Sequence, residues 1–542
     1  MTNLKSVLFI ALTIYLNSVI QAQSNRYMVF FTDKLNSEFS VTNPLAFLSQ
    51  KSVDRKAAHS VVIDEDDLPV NQIYVDSIES LAATVFFTSR WMNAALVQTD
   101  SATAIQIGQF KHVDSIWYVA PGSKLTKEYL SYDLPETFLP ANNTNASSEV
   151  QLEMLNVGAM HEDGFKGEGI LIAVLDGGFM GANLYEPLRH VFEDNHLIAV
   201  KDFTSNGGDP FLYSGHGTSV LSTIASYDDH LKGTAPEADF ILCVTEDVSN
   251  EYRIEEFNWL LAAEFADSIG ADIISSSLGY STFTDADMDY EYSDMNGETT
   301  IITKASNLAM KKGMLVVTSA GNEGDTNWKY ITAPGDGIDN LTIGSIQSNY
   351  ERSNFSSYGP SADGRIKPDL VALGTGTTVL NAFGKIQKAN GTSFSGPLVA
   401  GFAAGIWQAN PFLSNVELAQ FIRSMASQHD DPDNVFGYGI PFFVSTDSNV
   451  LSLGELSSDI INVYPNPITG NKIYLETNGN AKIYPLKLSI VDLRGVLLYQ
   501  TIISKAPINE KIEIDFSMSQ EGIYLLQLRC NKFYKQVKLF KN

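Results

Sequence analysis

The chain has 542 residues, 44% of them hydrophobic, and a formal net charge of −27 at pH 7. Its length exceeds one ordinary domain, and its apolar content supplies sizeable cores, which excludes a chain disordered throughout. The acidic excess argues against nucleic acid or an anionic membrane surface as a partner.

At the N-terminus Lys5 precedes a largely apolar run over residues 6–20, and then Gln21-Ala22-Gln23. Asn17 and Ser18 interrupt the run, so it is too short for a comfortable membrane span. It fits a signal peptide, residues 1–22, cleaved after Ala22. No later stretch is long enough to span a bilayer. The two cysteines, Cys243 and Cys530, fall in separate units, so no structural disulfide is expected and export rests on the signal peptide.

Residues 23–120 mix strand-like runs (26–31, 83–90, 93–98, 116–119) with helix-like ones (44–58, 103–109), which predicts a small α+β unit. Residues 121–149 turn polar, with Pro135, Pro140 and Asn142-Asn143-Thr144-Asn145, and read as a linker. Over 150–448 apolar strand-length runs (170–175, 239–244, 272–275, 314–318, 341–346) alternate with helical ones (218–225, 254–268, 300–312). That pattern predicts an α/β domain whose parallel sheet is covered on both faces. Over 456–542 short strands follow at regular spacing without helices, with a hairpin turn at Asp492-Leu493-Arg494-Gly495, which predicts a small all-β sandwich.

Four segments of the α/β region carry candidate chemistry. Asp176 closes the strand 170–175 and is followed by Gly177-Gly178; carboxyl ends of parallel strands are where functional groups collect, although a solvated turn aspartate has the same look. His216 stands between Gly215 and Gly217 at the opening of a helix, where a structural or surface histidine is the alternative. Asn322, in Ala320-Gly321-Asn322, follows the strand 314–318. Its amide could donate to a developing oxyanion, or it could be a left-handed turn residue. Ser393, in Gly391-Thr392-Ser393-Phe394-Ser395-Gly396-Pro397, opens an apolar helix, where unpaired N–H groups favour negative charge; a helix-capping serine is the plain reading.

Taken together and in that order, these segments resemble the signature blocks of the subtilisin-like serine proteases, over roughly residues 150–445. The resemblance implies an Asp176–His216–Ser393 triad working through an acyl-enzyme, with Asn322 and the Ser393 N–H binding the oxyanion. It also implies that Ser277-Leu278-Gly279 pairs with the substrate backbone. Two positions depart from the family pattern. Gly177-Gly178-Phe179 follows the aspartate where many relatives soon have Thr or Ser, and Ser395 stands where relatives often have Ala. Neither removes a catalytic group, but substrate preference beyond main-chain binding is left open.

The α+β unit occupies the place of the family's propeptide, an intramolecular chaperone and inhibitor, and the linker is the natural place for a self-processing cut. An unrelated binding domain is the alternative. The last unit, with Val463-Tyr464-Pro465-Asn466-Pro467, residues 522–528 and the basic end Lys532, Lys535, Lys538 and Lys541, resembles the C-terminal sorting domain of type IX secretion. Its alternative is a carbohydrate- or protein-binding sandwich. The resulting expectation is a secreted or surface-bound serine endopeptidase, made as a zymogen by a Gram-negative bacterium. Its partners would be polypeptide substrates, its own propeptide and the type IX secretion machinery. A non-catalytic surface adhesin on a protease scaffold is the competing reading. No cofactor is required. Calcium is a possible ligand of the acidic stretches Thr245-Glu246-Asp247 with Glu255-Glu256, and Asp285 to Asp294, although their spacing matches no defined calcium loop and solvated acidic loops are preferred.

Overall fold

Strands that read as unbroken Val, Ile and Leu can be satisfied only between two layers, and they are found there. In this computed structural model the central strands form a seven-stranded sheet. The structure describes residues 24–122, 138–143, 146–204, 209–445, 461–468, 470–477, 486–492, 497–503, 511–515, 522–530 and 533–541. The signal peptide, most of the linker and the tip of the turn after Asp492 lie outside them.

The N-terminal unit has β1 (Ser24–Phe31), β2 (Thr84–Ser89), β3 (Ala94–Asp100) and β4 (Val113–Pro121). They form one sheet in the order β2-β3-β1-β4, with β1 antiparallel to both neighbours. Helices Gln50–Ala58, Gln72–Glu79 and Ser101–Ile107 accompany it. Pro121, the first residue of the expected linker, closes β4, and the described residues from Phe138 on are built into the body that follows. Phe138 and Ala146 are buried in the main core, and β5 (Asn142–Asn143) pairs with a later strand at Lys385-Ile386.

The main sheet runs β12-β11-β10-β9-β6-β8-β7, with every neighbouring pair parallel. Its members are β6 (Leu171–Asp176), β7 (Leu197–Asp202), β8 (Asp239–Val244), β9 (Ile273–Ser276), β10 (Leu315–Ser319), β11 (Leu341–Ile346) and β12 (Leu370–Leu373). Helices His216–Ala225 and Thr392–Ala409 pack together as one pair, Ile254–Ile269 and Ile301–Lys311 as another. Thr392–Ala409 is buried along almost its whole length, so it needs no polar face. A hairpin of β13 (Thr375–Leu380) and β14 (Lys385–Asn390) leads directly into it.

The C-terminal unit is the expected sandwich. One sheet holds β15 (Ile461–Tyr464), β16 (Lys472–Thr477) and β19 (Lys511–Asp515); the other holds β17 (Leu486–Asp492), β18 (Leu497–Ile503), β20 (Gly522–Cys530) and β21 (Phe533–Lys541). Their inward residues, among them Ile473, Leu488, Ile514 and Leu526, form a separate core. Among the described residues no helix is long and apolar enough to cross a membrane.

The N-terminal unit lies on helix Ile254–Ile269 and is held there by charge as well as by apolar packing. Asp267 of that helix is fully buried and faces Arg55, Lys56 at 2.9 Å and Arg90 at 2.6 Å. Glu264, one turn earlier, accepts from the Arg90 N–H at 2.8 Å and from the Ser89 hydroxyl. Lys312 reaches back to Asp64 and Asp67, each at 2.8 Å. Burial alone would raise the Asp267 carboxyl, but the three cations hold it below its ordinary value. In the full chain kept whole by Ser393→Ala, Asp267→Ala should therefore cost about 3–5 kcal/mol, because three buried cations lose their counter-charge. A carboxyl with a lowered native value stabilises above the usual 3.8 and loses that contribution as pH falls through the native value. Thermal unfolding of the pair of proteins against pH should accordingly show their gap wide at pH 6 and closing below pH 4.

Candidate active site

Five segments supply the candidate side chains: the carboxyl ends of β6, β9 and β10 and the starts of helices His216–Ala225 and Thr392–Ala409. Asp176 is the last residue of β6 and fully buried. Its Oδ1 accepts the Gly177 N–H at 2.8 Å, and its main-chain carbonyl accepts the Thr245 N–H at 3.0 Å. His216 is the first residue of helix His216–Ala225, and its Nδ1 lies 2.9 Å from each Asp176 carboxylate oxygen. A nitrogen facing two carboxylate oxygens must carry the proton, which leaves Nε2 as the acceptor. The Asp176 charge raises the His216 pKa, burial opposes it, and the direct hydrogen bond and Glu246 add to the rise.

The glycines around His216 have a definite steric reason. A Cβ on Gly217 would stand 2.4 Å from the Gly178 carbonyl oxygen and 3.0 Å from the Asp176 Cβ, and the Gly217 N–H donates to that same carbonyl at 3.0 Å. Helix and strand can approach closely enough for the Asp176–His216 contact only because residue 217 has no side chain.

Ser393 is the second residue of helix Thr392–Ala409, two residues past the cap, which is Gly391. Pro397 lies four residues on and has no N–H to give the Ser393 carbonyl. That carbonyl instead accepts the Ser277 hydroxyl at 2.9 Å, which ties the helix start to the end of β9. The Ser393 hydroxyl is turned toward the Ser277 carbonyl at 3.5 Å rather than toward His216. The ring of the next residue, Phe394, lies 6.0 Å from the His216 imidazole. Asn322 follows Gly321, whose φ of +102° places it in the left-handed region. The Asn322 Oδ1 accepts both the N–H and the hydroxyl of Thr392, at 2.9 and 3.0 Å. A main-chain N–H must donate, so the amide orientation is fixed and its NH2 is turned away from Thr392. Thr392 was not singled out from sequence; a hydroxyl one residue before a candidate nucleophile is a weak signal until Asn322 is seen beside it.

Ser277 thus contacts Ser393 directly, while Leu278 is partly buried and Gly279 packs against Thr332. The acidic stretches serve local structure. Asp285 and Asp289 accept main-chain N–H groups, Glu291 and Asp294 form a capping box, and Glu256 accepts from Tyr290 and Ile302. Among the described residues no three His, Cys, Asp or Glu side chains gather as a metal site. Glu246, beside Gly177, accepts from the Tyr280 hydroxyl; burial and the neighbouring carboxyls push both Glu246 and Glu255 up.

Comparisons with known proteins agree with this architecture. Residues 167–439 match the subtilase family, residues 26–131 the peptidase S8 propeptide domain of Bacteroidota, and residues 462–542 the secretion system C-terminal sorting domain. The chain is 27% identical over 348 residues to the serine protease AprX of Bacillus subtilis, covering 58% of this chain and 73% of that one. It is 27% identical over 284 residues to subtilisin BL of Lederbergia lenta (52% and 92%), and 30% identical over 262 residues to the major intracellular serine protease of Bacillus subtilis (47% and 73%). The protein is a serine-type endopeptidase with an attached propeptide and sorting domain. It belongs to the subtilase family, and its flanking domains mark it as a secreted or cell-surface protein of a Gram-negative bacterium.

The close approach at Gly217 gives a direct check. Gly217→Ala should cost about 1–3 kcal/mol through overpacking. It should also cut kcat by about a hundredfold or more by lifting His216 off Asp176, with thermal melting and steady-state kinetics read on the same preparation.

Proposed function

We propose that the chain cleaves internal peptide bonds through an acyl-enzyme formed on Ser393. The observation that carries this reading is the two-oxygen contact of Asp176 with His216 at the same rim where Asn322 is anchored beside Ser393. In the first step the Ser393 Oγ attacks the scissile carbonyl carbon and its proton passes to His216 Nε2. The carbonyl π electrons become an oxyanion, which takes hydrogen bonds from the Asn322 amide and the Ser393 N–H. His216 then protonates the leaving amine as the C–N bond breaks, and water repeats the sequence on the ester, releasing Ser393 and the carboxylate product. Asp176 holds the imidazole tautomer and supports its charge while the proton is on it.

The Ser393 hydroxyl would give up its 3.5 Å hydrogen bond to the Ser277 carbonyl to donate to His216, a tightening common when substrate arrives. Ser277-Leu278-Gly279, at the end of β9, is the edge on which the substrate backbone would pair. A non-catalytic adhesin would have no use for a buried carboxylate aligned on an imidazole.

Ser393→Ala should lower kcat by about 10⁶-fold and Asn322→Ala by about 10²–10³-fold with KM little changed; both magnitudes are subtilisin's own. Assay of the secreted mature enzyme on casein and on a peptide anilide reads both, and undiminished turnover by Ser393→Ala would refute the acyl-enzyme. The pH profile has a sign of its own. The base must be neutral, and Asp176 raises the His216 value above 6.5. The acid limb of kcat/KM should therefore fall above pH 6.5, and Asp176→Asn should move it downward while lowering the plateau.

A further inference from the structure

Beside the catalytic rim, where the N-terminal unit meets the loop after β8, lies a cavity of about 120 Å³. Its permanent walls include Thr204, Asp247, Tyr252, Glu255 and Asn258 of the catalytic body; Arg26 and Pro121 of the N-terminal unit close it. Asn258 is only 2% exposed, and its Oδ1 has no hydrogen-bond partner, although its amide nitrogen donates to the Thr245 carbonyl at 3.1 Å. A buried acceptor left without a donor costs on the order of 1–3 kcal/mol, so a donor is expected to use it. Around it stand two carboxyls, Asp247 and Glu255, the second donated to by the Asp247 N–H at 3.1 Å. The Arg26 guanidinium already lines this space, with its Nε held by the Pro121 carbonyl at 3.1 Å; burial works against its charge while Asp247 and Glu255 support it.

The recess borders the cleft. A Cβ on Gly177, the residue after Asp176, would stand 2.8 Å from Val248 and 3.4 Å from the Glu246 Cβ. Glu246 in turn takes a hydrogen bond from Tyr280, which directly follows Ser277-Leu278-Gly279. The loop that carries Asp247 is therefore wedged between the Asp176 turn and the candidate substrate edge. When the N-terminal unit departs, Arg26 and Pro121 leave with it, and the acceptors remain as an open acidic recess.

We infer that this recess is a specificity subsite that takes the lysine or arginine side chain of a polypeptide substrate, the place the Arg26 guanidinium lines before maturation. The inference rests on the endopeptidase reading above. It is tested on the mature secreted enzyme by digesting a mixture of denatured proteins and reading the cut sites by mass spectrometry. Then kcat/KM is measured for peptide pairs that differ only by lysine or norleucine at the position so identified. Lysine and arginine should be enriched at one fixed position near the cut, and the lysine-to-norleucine ratio should fall at least tenfold in Asp247→Lys. Asp247→Asn, which keeps the loop's contact with Ser249, should give an intermediate ratio and serves if the charge reversal fails to fold. Cleavage without basic enrichment, or a ratio unchanged in the variants, would overturn the subsite and leave the protease reading intact. A wild type that cleaves nothing would overturn both.

Discussion

The contact between the Asp176 carboxylate and the His216 imidazole is the constraint to which the rest of the catalytic body conforms. A carboxylate with no exposure would neutralise itself unless donors met it; here they are the Gly177 N–H and His216 Nδ1. Bringing the histidine there requires a helix to begin against the end of β6, and that requires Gly217. Placing β6 inside a parallel sheet, next to β9, then brings the ends of β9 and β10 to the same rim, with Ser277 after one and the Asn322 turn after the other. Helix Thr392–Ala409 is locked into the same rim because Pro397 frees the Ser393 carbonyl for the Ser277 hydroxyl. The chemistry depends on close approach of backbones, and the small residues of the four segments are what allow it.

The N-terminal unit brings cations to carboxyls of the catalytic body. Arg55, Lys56 and Arg90 converge on Asp267, and Arg26 stands by Asp247 and Glu255. The same electrostatic match that seats this unit on helix Ile254–Ile269 also covers ground beside the catalytic rim. Removing it takes these cations away from Asp267, Asp247 and Glu255, and an acidic surface near the cleft follows from the way the precursor is held together.

Much of this was legible in the sequence for a physical reason. Asp176, His216, Asn322 and Ser393 each sit near glycine at a strand end or helix start, and strands such as β8 are apolar after the first residue because both faces are covered. β7 was not recognised; it is an edge strand, half-buried and ending in Lys201-Asp202, so it lacks the continuous apolar signal. β12 is four residues long and follows a proline, and β13 is rich in threonine and glycine. Helix Gln72–Glu79 was hidden by its β-branched residues, whose propensity points to strand. Asp267 and Asn258 carry no local signal at all. An acid on a helix becomes the centre of an ion network only through residues remote in sequence, such as Arg55, 212 positions away in the chain.

The central claim is that a hydroxyl at residue 393 is made nucleophilic by a histidine held on Asp176. It is tested most directly by labelling the mature enzyme with a fluorophosphonate probe and locating the adduct by peptide mass spectrometry. The account predicts one adduct, on Ser393, formed in stoichiometric amount and lost in His216→Ala. No adduct, an adduct elsewhere, or equal labelling without His216 would contradict it.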